Sequence, residues 1–347
     1  MLTGIKIIDF TRLLPGPLGT HLLSQMGAEV IKIESPKRID YARSSGPQVD
    51  DASILFHQIN HLKQIKGIDY STEKGKKEVF DLIQSADVLI EQFRPGAMTS
   101  WGLGYEDIQK INPNIIYVSV TGYGQEGKYA PAAGHDINYM AYAGILGLIK
   151  DHDGKPVVPD VQFADIGGAY MMVMATQAAL IRRFQTGKGA KVDVSLCDAM
   201  LPFLAVPYAL HSGGMNPDMF NLLNGRTAAN YTVYECADGK WLSLGALELK
   251  FWNLLCDILK KPDWKRQNAL QLMNMQFPRQ EVETLFKTQN REYWIDLFAG
   301  HDVCVAPVLA IDELEASDYH QQKQTFSSFE TPGGKELKAP GLPFQIS

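Results

Sequence analysis

The first two hundred residues repeat one rhythm, a short β-type run followed by a helix-forming stretch, and this alternation restricts the fold more than any other feature of the chain. Gly4-Ile5-Lys6-Ile7-Ile8-Asp9-Phe10 reads as a strand, Gly16-Pro17-Leu18-Gly19 opens a helix through Met26, and Ala28-Glu29-Val30-Ile31-Lys32-Ile33 is a second strand. The rhythm returns with a strand over 64–69, a helix N-capped by Ser71 or Thr72 that runs to Ser85, and the strand Asp87-Val88-Leu89-Ile90. A short helix over 105–111 precedes a strand over 115–120. A long apolar helix over 166–184 then ends at Thr186-Gly187-Lys188-Gly189, ahead of a strand over 191–194. Strands alternating with helices predict an α/β fold with a mostly parallel, doubly wound sheet.

Beyond this region the pattern changes. An apolar helix over 196–211 leads into the polar, Gly- and Asn-containing stretch 212–230, the best linker candidate. Thr232-Val233-Tyr234-Glu235-Cys236 and Trp241-Leu242-Ser243-Leu244 flank Asp238-Gly239 as a hairpin, and helical segments run on to about Gly300. A small α+β lobe is therefore expected. The Pro-rich segment 339–344 reads as extended chain returning to the first lobe, and a length of 347 residues suits one large domain with a smaller companion.

The formal charge of −6 disfavours nucleic acid as a partner, because such binding neutralises phosphates with Lys and Arg. Four cysteines without a CxxC pair argue against a disulfide framework or structural zinc. The N-terminus lacks the basic and apolar regions of a signal peptide, and the apolar run 166–181, interrupted by Gln177, is shorter than the ~20 residues of a membrane span. A cytoplasmic protein without a membrane span is expected.

Several familiar motifs fail on their mechanics. Pro15-Gly16-Pro17-Leu18-Gly19 lacks the G-x-G-x-x-G spacing of a dinucleotide loop, and Thr186-Gly187-Lys188-Gly189 follows a helix where a phosphate loop would open one. His57 and His61 have the spacing of two zinc ligands, but Gln58 stands where a metalloprotease needs its Glu, so surface or capping histidines are expected and no metal. No G-x-S-x-G nucleophile elbow occurs.

One pair survives. His135, in Gly134-His135-Asp136, follows a loop of small residues beyond the strand ending at Val120, where open α/β sheets present ligands. Asp165 follows 30 residues later, ahead of Ile166-Gly167-Gly168. It reads either as a plain helix N-cap or as a carboxylate, kept ionised by the helix terminus, that accepts a carbon-bound proton.

The chain resembles the α-methylacyl-CoA racemases of the family III CoA-transferase (CaiB/BaiF) superfamily along essentially its whole length. The matching stretches include Gly27-Ala28-Glu29-Val30-Ile31-Lys32-Ile33-Glu34, Ala86-Asp87-Val88-Leu89-Ile90-Glu91, Phe93-Arg94-Pro95-Gly96, Thr121-Gly122-Tyr123-Gly124-Gln125, Gly134-His135-Asp136-Ile137-Asn138-Tyr139 and Gly245-Ala246-Leu247-Glu248. The resemblance implies a Rossmann-like CoA-binding domain over 1–200, a connecting helix and loop over 201–224, a small α+β domain over 225–320, and a segment over 321–347 returning to the large domain. It also implies an interlocked homodimer in which Glu248 of one chain completes a site built on His135 and Asp165 of the other. In these roles His135 and Asp165 are the two acid/bases that invert the α-carbon of an acyl-CoA thioester, and Glu248 orients and charges the imidazole. Asp136 and Tyr231 match further site positions. Arg94 is expected at the coenzyme A phosphates, with Lys37 or Arg38 substituting for basic positions that are Ser35 and Ser100 here. Coenzyme A is then part of the substrate and no separate cofactor is expected.

The competing reading within the superfamily is CoA transfer, with Asp165 as nucleophile of a covalent intermediate. His135 favours the racemase reading, since the transferases generally lack a His there and carry a glycine-rich closing loop that Ser212-Gly213-Gly214 is too short to match. A non-catalytic acyl-CoA-binding protein is a third reading, disfavoured by the retained His135, Asp165 and Glu248.

Overall fold

The computed structural model describes residues 1–151, 153–215, 228–268 and 279–346. It divides into two compact units, one of residues 1–204 and 322–347, the other of residues 205–321.

In the first unit six parallel strands form a sheet: β1 (Lys6–Asp9), β2 (Glu29–Glu34), β5 (Gln64–Gly67), β6 (Val88–Glu91), β7 (Ile116–Thr121) and β8 (Ala190–Ser195), in the order β5-β2-β1-β6-β7-β8. A two-strand excursion, β3 (Gln48–Val49) with β4 (Ala52–Ser53), lies between β2 and β5. The central strands are buried on both faces, which explains their unbroken apolar runs. Ile7, Val88, Ile90, Ile116 and Val118 face a core completed by α1 (Pro15–Gln25) and the 24-residue α7 (Phe163–Thr186). Their neighbours Ile8, Leu89 and Tyr117 face the opposite core, with Val79 and Ile83 from α3 (Glu73–Ile83) and Ile108 from α5 (Tyr105–Ile111). This period-two division between helical layers makes the sheet doubly wound. Each fully buried Ile or Leu contributes about 1.5–3 kcal/mol.

All six strands are parallel, so their C-terminal ends share one edge. Chain order reverses between β1, which leads outward to β2, and β6, which leads the other way to β7. The crevice at such a switch point is where open α/β sheets take ligands. Helix α7 is the one described helix long and apolar enough to cross a membrane, yet Met172, Val173, Ala179 and Leu180 pack it into the core.

The second unit is α+β. Strands β9 (Tyr231–Glu235), β10 (Trp241–Gly245) and β11 (Val305–Val308) form an antiparallel sheet, with the β9–β10 turn at Asp238-Gly239. Helix α9 (Leu249–Ile258) and two later helices cover it through Trp252, Phe286, Trp294 and Phe298. The terminal hairpin β12 (Phe326–Glu330) with β13 (Glu336–Pro340) belongs to the first unit, where Lys338 O accepts a hydrogen bond from Gln58 Nε2.

Three expectations are corrected. The helix expected over 196–211 is a 3-10 segment, Asp198–Leu204, followed by an α-helix, Ala205–Ser212, because Pro202 has no N–H to donate within the turn. The units divide after Leu204, within the connecting segment expected over 201–224; residues 216–227 lie outside the described ones. His57 is buried rather than exposed, with Nε2 at 3.0 Å from Val49 O. Asp165 is not the N-cap of its helix; Gln162 holds that position and Asp165 is third in the first turn.

Candidate functional site

At the C-terminal edge of the sheet, beyond β6 and β7, a cleft of about 350 Å³ is walled by Gln92, Phe93 and Arg94 beyond β6, Thr121 and Gly122 at the end of β7, and the loop that carries Ala130 to His135. His135 is the N-cap of α6 (Asp136–Tyr142) and its backbone N–H donates to Asn138 Oδ1 at 3.0 Å, closing the first turn. Its imidazole is exposed and has no side-chain partner among the described residues. Tyr139 fixes the loop from below: its hydroxyl donates to Gly134 O at 2.6 Å and its ring meets Tyr123 edge-on at 5.1 Å. A Cβ at Gly134 would lie 2.7 Å from the Tyr139 ring, and one at Gly122 would overlap that ring, so both positions need glycine for close approach.

Asp136 couples this turn to α7. Its Oδ1 accepts hydrogen bonds from the N–H groups of Ala164 (2.7 Å) and Asp165 (3.0 Å), two of the orphan donors of that helix. The capping carboxylate therefore comes from 28 residues upstream, and Asp165 is released from capping to point elsewhere. Burial pushes the Asp165 carboxyl up to about 6, with the neighbouring Asp136 charge adding to the effect. Asp165 in turn helps raise Tyr139, which burial pushes up to about 12. His135 and Tyr139 line the cleft, and Asp136 links their helix to the first turn of α7, where Asp165 lies. A half-buried carboxyl that titrates near neutrality can hold or release a proton at little cost, and an exposed imidazole is a second group able to carry one.

Arg94 is exposed, lines the cleft, and has no ion pair among the described residues. Thr121 Oγ1, buried in the cleft wall, has no hydrogen-bond partner among them. Lys37 and Arg38 diverge: Lys37 Nζ is paired with Asp69 at 2.9 Å and donates to Ser71, whereas the Arg38 guanidinium lies 4.1 Å over the Trp101 ring with no carboxylate partner among the described residues. Tyr231 and Glu248 belong to the second unit. Tyr231 pairs with Gly245 at one end of the β9–β10 ladder, and Glu248 follows three residues later, exposed, at the N-cap of α9.

Two neighbours have no sequence signal of their own. Glu91, the last residue of β6, is buried, accepts the Phe93 N–H at 2.8 Å and is pushed up to about 7 by desolvation; it faces a second, smaller cavity of about 110 Å³ that shares Arg94. Arg12, just beyond β1, lies 5.1 Å over the ring of Phe93, and Phe93 meets Trp101 edge-on at 4.9 Å.

Residues 2–347 match the family model described as CoA-transferase family III. The chain is 33% identical over 322 residues to a succinyl-CoA:glutarate CoA-transferase of Mus musculus, covering 90% of this chain and 73% of that one. It is 29% identical over 345 residues to an alpha-methylacyl-CoA racemase of Homo sapiens, covering 98% and 86%. The crystal structure of a CAIB/BAIF family protein from Brucella suis superposes with a TM-score of 0.86 at 29% identity, covering 100% of this chain and 92% of that one.

Proposed function

The chain belongs to CoA-transferase family III, and from that premise we propose that it is an acyl-CoA racemase inverting the α-carbon of 2-methylacyl-CoA thioesters. The observation that carries the reading is the Asp136 clamp, which ties the turn that carries His135 to the first turn of α7, where burial raises the Asp165 carboxyl to about 6. One of these groups removes the α-proton and leaves an enolate; the other delivers a proton to the opposite face. The proton balance is zero and the product is the epimer. Glu248, from the second unit of a partner chain, charges the imidazole, and Tyr231 lies beside it. Arg38 and Arg94, both without carboxylate partners among the described residues, receive the coenzyme A phosphates, while Lys37 is engaged with Asp69.

A homodimer accords with the outer face of α7. Tyr170, Met174, Ile181 and Phe184 recur there at helical spacing, with exposures of 49, 60, 58 and 72%, an apolar stripe of the kind that marks an interface. CoA transfer through a covalent Asp165 intermediate is the second reading, supported by the relatives that are CoA-transferases at similar identity.

The experiment incubates the protein in D2O with a single enantiomer of a 2-methylacyl-CoA, with and without free succinate. Deuterium at the α-carbon together with epimerisation, independent of succinate, is expected. Passage of CoA to succinate without α-exchange would establish the transferase reading instead.

A further inference from the structure

Beneath the loop after β1 lies a group of buried charges that the proton-transfer chemistry does not use. Asp9, Lys32 and Asp40 are fully buried, and so is the side chain of Lys63. Lys32 Nζ pairs with Asp40 Oδ2 at 2.9 Å and donates to Thr11 O at 2.6 Å. Asp9 Oδ1 accepts the Thr11 N–H and hydroxyl, while Asp9 Oδ2 accepts from Thr20 Oγ1 and Lys63 Nζ. On the other side of Arg12, the Leu13 N–H donates to Asp40 Oδ1 at 2.8 Å. Leu13 is held at φ +63°, a left-handed conformation that a leucine adopts only under constraint.

Both neighbours of Arg12 are therefore fastened to buried charge, while Arg12 itself makes no ion pair among the described residues. Its guanidinium rests between the rings of Phe93 (5.1 Å) and Tyr41 (5.5 Å). Phe93 walls the cleft, and its partner Trp101 carries Arg38. Buried ion pairs are poor sources of stability compared with apolar packing, so stability alone does not account for two lysines and two aspartates under one loop.

We propose that Arg12 is a ligand for the phosphate-bearing part of the thioester, and that the Lys32–Asp40 pair is its positioning device, holding residues 11–13 in the one conformation that presents the guanidinium on Phe93. The inference rests on the CoA-thioester reading. Arginine suits the role because a planar, always-charged fork bonds two phosphate oxygens at once.

Free coenzyme A titrated calorimetrically into the wild-type protein, Arg12→Ala, Arg12→Lys, Asp40→Asn and the double variant Arg12→Ala/Asp40→Asn tests it. Arg12→Ala is expected to weaken binding about 10- to 100-fold, with the kinetic loss in KM rather than kcat, and Arg12→Lys to recover part of it. Asp40→Asn should weaken binding about 5- to 10-fold alone and add nothing to Arg12→Ala, because its effect passes through that side chain. A purely structural Asp40 would cost the same factor in both backgrounds, which would overturn the positioning role. An affinity of Arg12→Ala within twofold of wild type would overturn the ligand role, and that variant decides the question by itself if Asp40→Asn does not fold. No affinity of the wild-type protein for coenzyme A would instead remove the CoA reading on which the inference stands.

Discussion

Asp165→Asn is expected to stabilise the protein while inactivating it. The Asp165 carboxyl is raised from its ordinary 3.8 to about 6, chiefly by burial, so the folded state holds the proton more tightly than the unfolded chain does. The fold therefore suffers no ionisation penalty below 3.8, an increasing one between 3.8 and 6, and the full one above. At ~1.4 kcal/mol per pH unit the ceiling is about 3 kcal/mol, and partial solvent access reduces the expected value to about 2 kcal/mol. An Asn of the same shape carries no such penalty. For a cooperative unit of this size that amounts to a rise in Tm of about 4–8 °C at pH 7.5, shrinking to about a third of that at pH 4.5. Scanning calorimetry of both proteins across that range measures it. A lower Tm for Asp165→Asn at pH 7.5, or a gain equal at both pH values, would show that the carboxyl is not held in an unfavourable ionised state.

Three further outcomes follow from the same geometry. Asp136→Asn keeps an acceptor for the Ala164 and Asp165 N–H groups but removes the like charge, so the acid limb of the pH–rate profile, expected near 6, moves lower; Asp136→Ala orphans both donors and costs about 1–2 kcal/mol by denaturant titration. Gly134→Ala drives a Cβ against the Tyr139 ring and displaces the His135 turn, lowering kcat/KM at least about tenfold, whereas the same change at Gly187, an exposed C-cap at φ +70°, lowers Tm and leaves kcat/KM in place. Ile181→Glu with Phe184→Glu puts two charges into the apolar stripe of α7, and light scattering should then report a monomer without activity; an unchanged dimer would refute that interface.

The sheet was legible because its strands are buried on both faces, which writes unbroken runs such as Val88-Leu89-Ile90 into the chain. The pair His135 and Asp165 was legible as residue types at the ends of two elements. What joins them was not: the carboxylate capping α7 belongs to Asp136, 28 residues upstream, and no local pattern marks a cap supplied across the chain. Asp165 consequently reads as the N-cap, the nearest acid to the helix start. The buried charges were hidden for the opposite reason. Lys32, inside Glu29-Val30-Ile31-Lys32-Ile33, has the look of a solvent-facing strand position, yet it is fully buried because Asp40 and Thr11 O satisfy it from loops that the alternation of strand and helix does not describe. Arg12 owes its place to Leu13 adopting a conformation its own propensity disfavours. Glu248 and Tyr231 belong to the second unit and His135 and Asp165 to the first, and the alternation of strand and helix that marks the first unit says nothing of the second.

In the proposed racemase two different groups, His135 and Asp165, serve opposite faces of one carbon. Its most direct test is α-deuterium exchange from D2O for each enantiomer of a 2-methylacyl-CoA with His135→Ala and Asp165→Asn, scored separately from inversion. Each variant should lose inversion altogether and still exchange one enantiomer only, with the retained enantiomer opposite in the two. Exchange of the same enantiomer by both variants, or a coenzyme A thioester trapped on Asp165 in the wild-type protein during turnover, would contradict it.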